Sequence, residues 1–162
     1  MISGDLDILL VQDSPLEVEL TLRPLRDLAP DSRMGVARDG EEALDYLLAR
    51  GSYRHRLGAP LPRLVLLELK LPRLDGAEVL RALRASHRTS SLPVVILVPA
   101  AEPRELAQCY QLGVNSCVRK PVEFAAFYGV MQGVGRYWLR LNEGPPVVGG
   151  AAGPRGAGAA KD

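Results

Sequence analysis

The chain has 162 residues, enough for one domain with its own core and too few for two of ordinary size plus a linker. Its 20 basic and 19 acidic side chains nearly cancel, which excludes the broad positive field that nucleic-acid binding draws on. MISGDLDILL has no basic stretch ahead of an apolar run, and no apolar segment approaches the roughly 18 to 20 residues that cross a bilayer, so a cytoplasmic protein without membrane attachment is expected.

Two cysteines, Cys109 and Cys117, and two histidines, His55 and His87, make neither a disulfide framework nor a metal-ligand spacing. Both thiols are expected to be reduced and structural. Arginine outnumbers lysine 17 to 3, most simply a codon bias, and this singles out each lysine.

The first short apolar run, Ile8 to Val11, reads as a buried strand. Ser14 then caps a helix that has Pro15 at its first position and a stripe of Val18, Leu22 and Leu25; Pro24 should kink or shorten it. A weaker strand follows at Ser32 to Val36. A second helix opens at Asp39-Gly40, with Glu41 and Glu42 suited to the positive end of the helix dipole. Residues 51–62, with Arg54, His55 and Arg56 among glycines and prolines, read as a solvated connector, with contact to a partner as the alternative. Leu64 to Leu69 is a third strand, and a helix follows Asp75-Gly76 through Val79, Leu80 and Leu83. Val94 to Val98 is a fourth strand, with a helix from Pro103 through Leu106 and Tyr110. The last pair is Ser116 to Arg119 and a helix starting after Pro121.

Strand and helix alternate five times, with connections long enough for crossovers. That order predicts a doubly wound α/β domain, a parallel sheet with helices on both faces. Ligands in such folds sit beyond the carboxyl ends of the strands. Those ends carry Gln12-Asp13, Glu68 and Lys120-Pro121, so two carboxylates and a lysine are expected to converge. Acids gathered at a sheet edge call for a divalent cation or an ammonium group to balance them, and Lys120 supplies the second. The plain alternative is surface placement with no shared site.

The segments ILLVQDSPLEVELTLRPLR, VARDGEEALDYLLARG, PRLVLLELKLPRLDGAEVLRALR, LPVVILVPA and LGVNSCVRKPVEF resemble, in order, successive parts of response-regulator receiver domains. GRYWLRLNEGPP further resembles the extension of the single-domain regulators that partner bacterial phytochromes. The resemblance implies a flavodoxin-like (βα)5 receiver fold with strand order 2-1-3-4-5. It covers a receiver domain at 6–128, followed by an arm at 129–143; from Gly144 on, the composition has too little apolar bulk for a core, so 144–162 is expected to be a disordered Gly/Ala/Pro tail. The resemblance also implies a role in two-component signalling, with a histidine kinase or another signalling protein as partner.

In that family an aspartate ending the third strand accepts phosphate, assisted by a Mg²⁺ held by two acids near the first strand. A hydroxyl ends the fourth strand, a switch aromatic lies on the fifth, and a lysine follows it. Matched by position, this chain keeps Asp13 and Lys120 but has Gln12 for the first acid and Glu68 for the phosphoacceptor. Val98 stands for the hydroxyl and Cys117 for the aromatic. The remaining acids, Asp13 and Glu68, make a Mg²⁺ site weak or absent, so no cofactor is expected.

The extra methylene of glutamate moves the attacking oxygen by up to about 1.5 Å, and misplacement by about 1 Å costs on the order of 10²-fold in rate. Mimicry of phosphate also falls short. Glu68 brings one charge where a phosphoryl group brings nearly two, and shifting a two-state protein almost fully takes about 5.5 kcal/mol. A pseudo-receiver is therefore expected, not an enzyme, with Glu68 paired to Lys120 and the relay fixed in one conformation. The competing reading is a working phosphoacceptor in a phosphorelay. A phosphatase on a similar sheet would need a second nucleophile or a nucleotide loop, and neither is present.

Val122 to Leu141 places apolar residues at helical spacing over 20 positions, about 30 Å if continuous. Gly129, Gly133 and Gly135 weaken that helix and favour a bend. An overhang with Tyr137, Trp138, Leu139 and Leu141 leaves apolar surface, and a two-fold contact in a homodimer is its expected cover. Folding back on the same domain is the alternative.

Overall fold

The computed structural model describes residues 1–100 and 102–146. β1 (Ile8–Val11), β3 (Leu64–Glu68) and β4 (Val94–Val98) are buried along their whole length. Unbroken apolar runs suit them because both faces of a parallel sheet are covered. β2 (Met34–Ala37) and β5 (Ser116–Arg119) are less buried and form the two edges, which accounts for their weaker sequence signal. All pairings are parallel, in the order β2-β1-β3-β4-β5.

The two-residue period of the strands sorts the core. Leu9, Val11, Val65, Leu67, Ile96 and Val98 face α2 (Gly40–Leu48), α3 (Gly76–Ala85) and α4 (Pro103–Gln111). Ile8, Leu10, Leu64, Leu66, Val95 and Leu97 face α1 (Pro15–Leu28) and α5 (Phe124–Arg136).

Several boundaries differ from the sequence reading. The second strand begins at Met34, because Ser32 and Arg33 belong to its approach, where the Arg33 carbonyl accepts from the Asp7 and Ile8 amides. The third ends at Glu68. The fifth helix begins only at Phe124 and runs through the boundary placed at 128. Pro24 does not end α1, which continues to Leu28. An interior proline costs about 3 kcal/mol, and burial of Val18, Leu22 and Leu25 on both sides of it, at roughly 1.5–3 kcal/mol per large side chain, offsets that.

The connector at 51–62 is not solvated throughout. It contains a 3₁₀ turn, Gly51–Arg56, in which Tyr53 and Arg56 are buried. The Arg56 guanidinium lies 3.9 Å from the centre of the Tyr46 ring and donates to the carbonyls of Gly4 and Pro60 and to Asp5. The apolar face of its stacked plane explains how an arginine is buried there.

The C-terminal arm also departs from expectation. A π-helical turn, Tyr137–Leu141, follows α5 and carries Leu139 into the core beneath α1, with Trp138 packed against the same cluster. Arg63 donates to the Leu139 carbonyl at 2.6 Å, and Arg140 donates to the Leu28 carbonyl at the end of α1. Gly135 permits this closeness: a Cβ there would lie 2.8 Å from Leu25 and 2.9 Å from Leu28. Leu139 is therefore covered by its own domain and Trp138 partly so, and of the four arm residues only Tyr137 and Leu141 are strongly exposed. The tail expected from 144 falls, beyond Pro146, outside the described residues.

Candidate functional site

The carboxyl ends of β1, β3 and β4 and the residue after β5 meet at one edge of the sheet. The Gln12 amide donates to the Ala37 carbonyl at 3.0 Å and the Lys120 amide to the Val98 carbonyl at 2.7 Å, so both residues are fixed by strand ladders that extend one step beyond the strands. Glu68 is the last residue of β3. The start of α3 presses on it so closely that a Cβ on Gly76 would lie 2.4 Å from the Glu68 carbonyl oxygen, which is why glycine follows the Asp75 cap.

Lys120 Nζ lies 2.7 Å from Glu68 Oε2, and both side chains are almost entirely buried. Gln12 Nε2 donates to the same oxygen at 2.9 Å. A second carboxylate completes the cluster, but it is Glu17, not Asp13. Glu17 Oε2 accepts from Gln12 Nε2 at 2.7 Å and from Lys120 Nζ at 3.0 Å. Asp13 is exposed and its carboxylate joins none of these contacts. The cause is local: Gln12 Oε1 accepts from the Asp13 and Ser14 amides, a turn that leaves the Asp13 side chain facing outward.

Glu17 was hidden by a more ordinary pattern. Ser14 and Glu17 have the S-x-x-E spacing of a capping box, in which the glutamate would return to the amide of the capping serine. Ser14 does accept from the Glu17 amide, but Gln12 takes the Ser14 amide and frees the glutamate to reach Lys120. A lysine near a capping box across the fold is the signal that could have exposed it.

Burial pushes the Glu68 carboxyl above its ordinary value, with the neighbouring Glu17 charge acting in the same direction. Hydrogen bonding and attraction from Lys120, and the Gln12 amide, oppose the rise. Val98 is buried in the core and Cys117 packs against it beside Cys109. Burial raises the Cys117 thiol to about 11, so it stays protonated.

The donor set does not suit a Mg²⁺ ion. Hard cations take several oxygen ligands, whereas Gln12 Oε1 is occupied by two amides and Oε2 of both glutamates by nitrogen donors. Among the described residues no group of three His, Cys, Asp or Glu is placed to hold a metal. The ammonium of Lys120 provides the balancing charge.

The family model for the response regulator receiver domain matches residues 8–131. The chain belongs to that family. It is 38% identical over 139 residues to the probable methanogenesis regulatory protein FilR2 of Methanothrix harundinacea, a match covering 85% of this chain and 86% of that protein. The structure of the phosphorylated cyanobacterial phytochrome response regulator RcpA superposes with a TM-score of 0.80 at 29% identity, covering 88% of this chain and 100% of that one. The bacteriophytochrome response regulator AtBRR is 45% identical, with a TM-score of 0.66, over 87% of this chain and 100% of that one. The fold is thus a receiver fold, and the chain is a response-regulator receiver of two-component signalling, similar to regulators associated with phytochromes. No helix among the described residues is long and apolar enough to cross a membrane.

Proposed function

We propose that this receiver is a pseudo-receiver, a cytoplasmic module that signals by binding a histidine kinase or another signalling protein without being phosphorylated. One observation carries the reading. The carboxylate at the phosphoacceptor position is buried and already committed to Lys120 at 2.7 Å and Gln12 at 2.9 Å. A nucleophilic oxygen must be free to approach phosphorus in line, and Oε2 of this carboxylate is held by two donors. The usual hydroxyl at the end of β4 is replaced by Val98, so the roughly 1.5–3 kcal/mol of a hydrogen bond to a charged group is missing as well.

The reading predicts that a phosphohistidine-labelled kinase of the same cells transfers no measurable label to this chain while binding it. Rapid transfer, abolished by Glu68→Ala, would establish the second reading, a phosphoacceptor in a phosphorelay. That second reading draws on the relative RcpA, whose structure is of a phosphorylated protein.

Homodimer formation belongs to the same proposal, narrowed now to the exposed Tyr137 and Leu141 of the arm. A Tyr137→Ser/Leu141→Ser variant is expected to sediment as a monomer where the unmutated chain sediments as a dimer; equal masses would remove the arm from the interface.

A further inference from the structure

Gln12 Nε2 and Lys120 Nζ each contact the same two oxygens, Glu17 Oε2 and Glu68 Oε2, at 2.7 to 3.0 Å. The four atoms form a closed ring of two donors and two acceptors. Its halves differ in how they are held. Glu68 sits on the central strand and is buried, whereas the Glu17 side chain is 47% exposed and hangs from the first turn of α1. Beside Glu17 a cleft of about 260 Å³ opens between α1 and the β5–α5 connection, lined among others by Thr21, Pro99, Lys120 and Phe124.

Two nitrogen donors converging on one carboxylate oxygen of a half-exposed side chain, next to an open cleft, are what a small oxyanion requires. Here a side chain of the protein fills the position. We propose that Glu17 is a tethered anion: it occupies the Lys120–Gln12 donor pair from within and keeps that pair closed to free oxyanions. The ring holds two carboxylates and one ammonium, a net charge of −1. An oxyanion added with Glu17 in place meets two like charges, while a singly charged one that replaces Glu17 restores the original balance. A tethered group acts at roughly millimolar effective concentration, so a free anion below that range does not displace it. Binding is non-covalent and no bond is made or broken.

The test is a titration of the full chain with inorganic phosphate at constant ionic strength, followed by the NMR signals of the Gln12 side-chain amide and the Lys120 backbone amide. The unmutated chain is expected to show no saturable shift below the millimolar range. Glu17→Ala vacates the position and is expected to bind phosphate with half-saturation at least about tenfold lower, the loss of one charge-assisted competitor. Glu17→Gln keeps the shape without the charge and falls between. Glu17→Ala/Lys120→Met is expected to lose the response. Identical curves for the unmutated chain and both single variants overturn the proposal, and so does binding that survives loss of Lys120. The inference does not rest on the pseudo-receiver reading: label transfer to Glu68 is covalent and is measured separately from this equilibrium.

Discussion

Two lysine–glutamate pairs in this molecule have nearly the same length and different consequences. Lys120–Glu68 spans 2.7 Å at the edge of the sheet with side chains 11% and 7% exposed, whereas Lys70–Glu105 spans 2.8 Å between the β3–α3 connection and α4 with side chains 70% and 30% exposed. Distance is therefore no guide to what a pair does. In water an ion pair gains little, because solvent already satisfies both charges and salt screens them. Under the sheet edge neither partner has that alternative, and removing one strands the other.

The largest effect should come from Lys120→Met, which leaves Glu68 buried with only the Gln12 amide for support. A loss of about 3–5 kcal/mol is expected for a broken buried pair, read by urea unfolding, while Lys70→Met should leave the unfolding curve unchanged. Similar curves for the two variants would erase the distinction between the regions.

A smaller and more specific effect concerns pH. The Glu68 carboxyl in the folded chain titrates above its ordinary value of 4.5, because burial disfavours its charge, so between the ordinary and the elevated value the folded state holds a proton that the unfolded state has released. Stability from this group is fully present below the ordinary value and is lost as pH rises through the elevated one. Glu68→Gln should remove that falling limb from a plot of unfolding free energy against pH. A variant that keeps the limb would assign it to another group.

The fold was largely legible in the sequence where physics is local. The central strands announce themselves because burial on both faces demands unbroken apolar runs such as Val94 to Val98, and the capped starts of α1, α2 and α3 at Ser14, Asp39 and Asp75 are visible because each cap accepts from an amide three residues on. What was not legible depends on partners distant in sequence. Glu17 meets Lys120 across 103 positions, and nothing in the pattern around Ser14 distinguishes it from an ordinary capping glutamate. Arg56 is buried only because Tyr46 offers a ring to stack on. Leu139 turns inward through a π-helical turn, and Gly135 lets the end of α5 close on Leu25 and Leu28 of α1, geometry that a helical period does not encode.

The central claim is that Glu68 is a fixed partner of Lys120 and not a phosphoacceptor, and labelling with acetyl phosphate in the presence of Mg²⁺ tests it most directly. The unmutated chain and Glu68→Asp should remain unlabelled, while Gln12→Asp/Glu68→Asp/Val98→Thr, which restores both acids and the hydroxyl, should take up label. Robust labelling of the unmutated chain that is lost in Glu68→Ala would contradict the account.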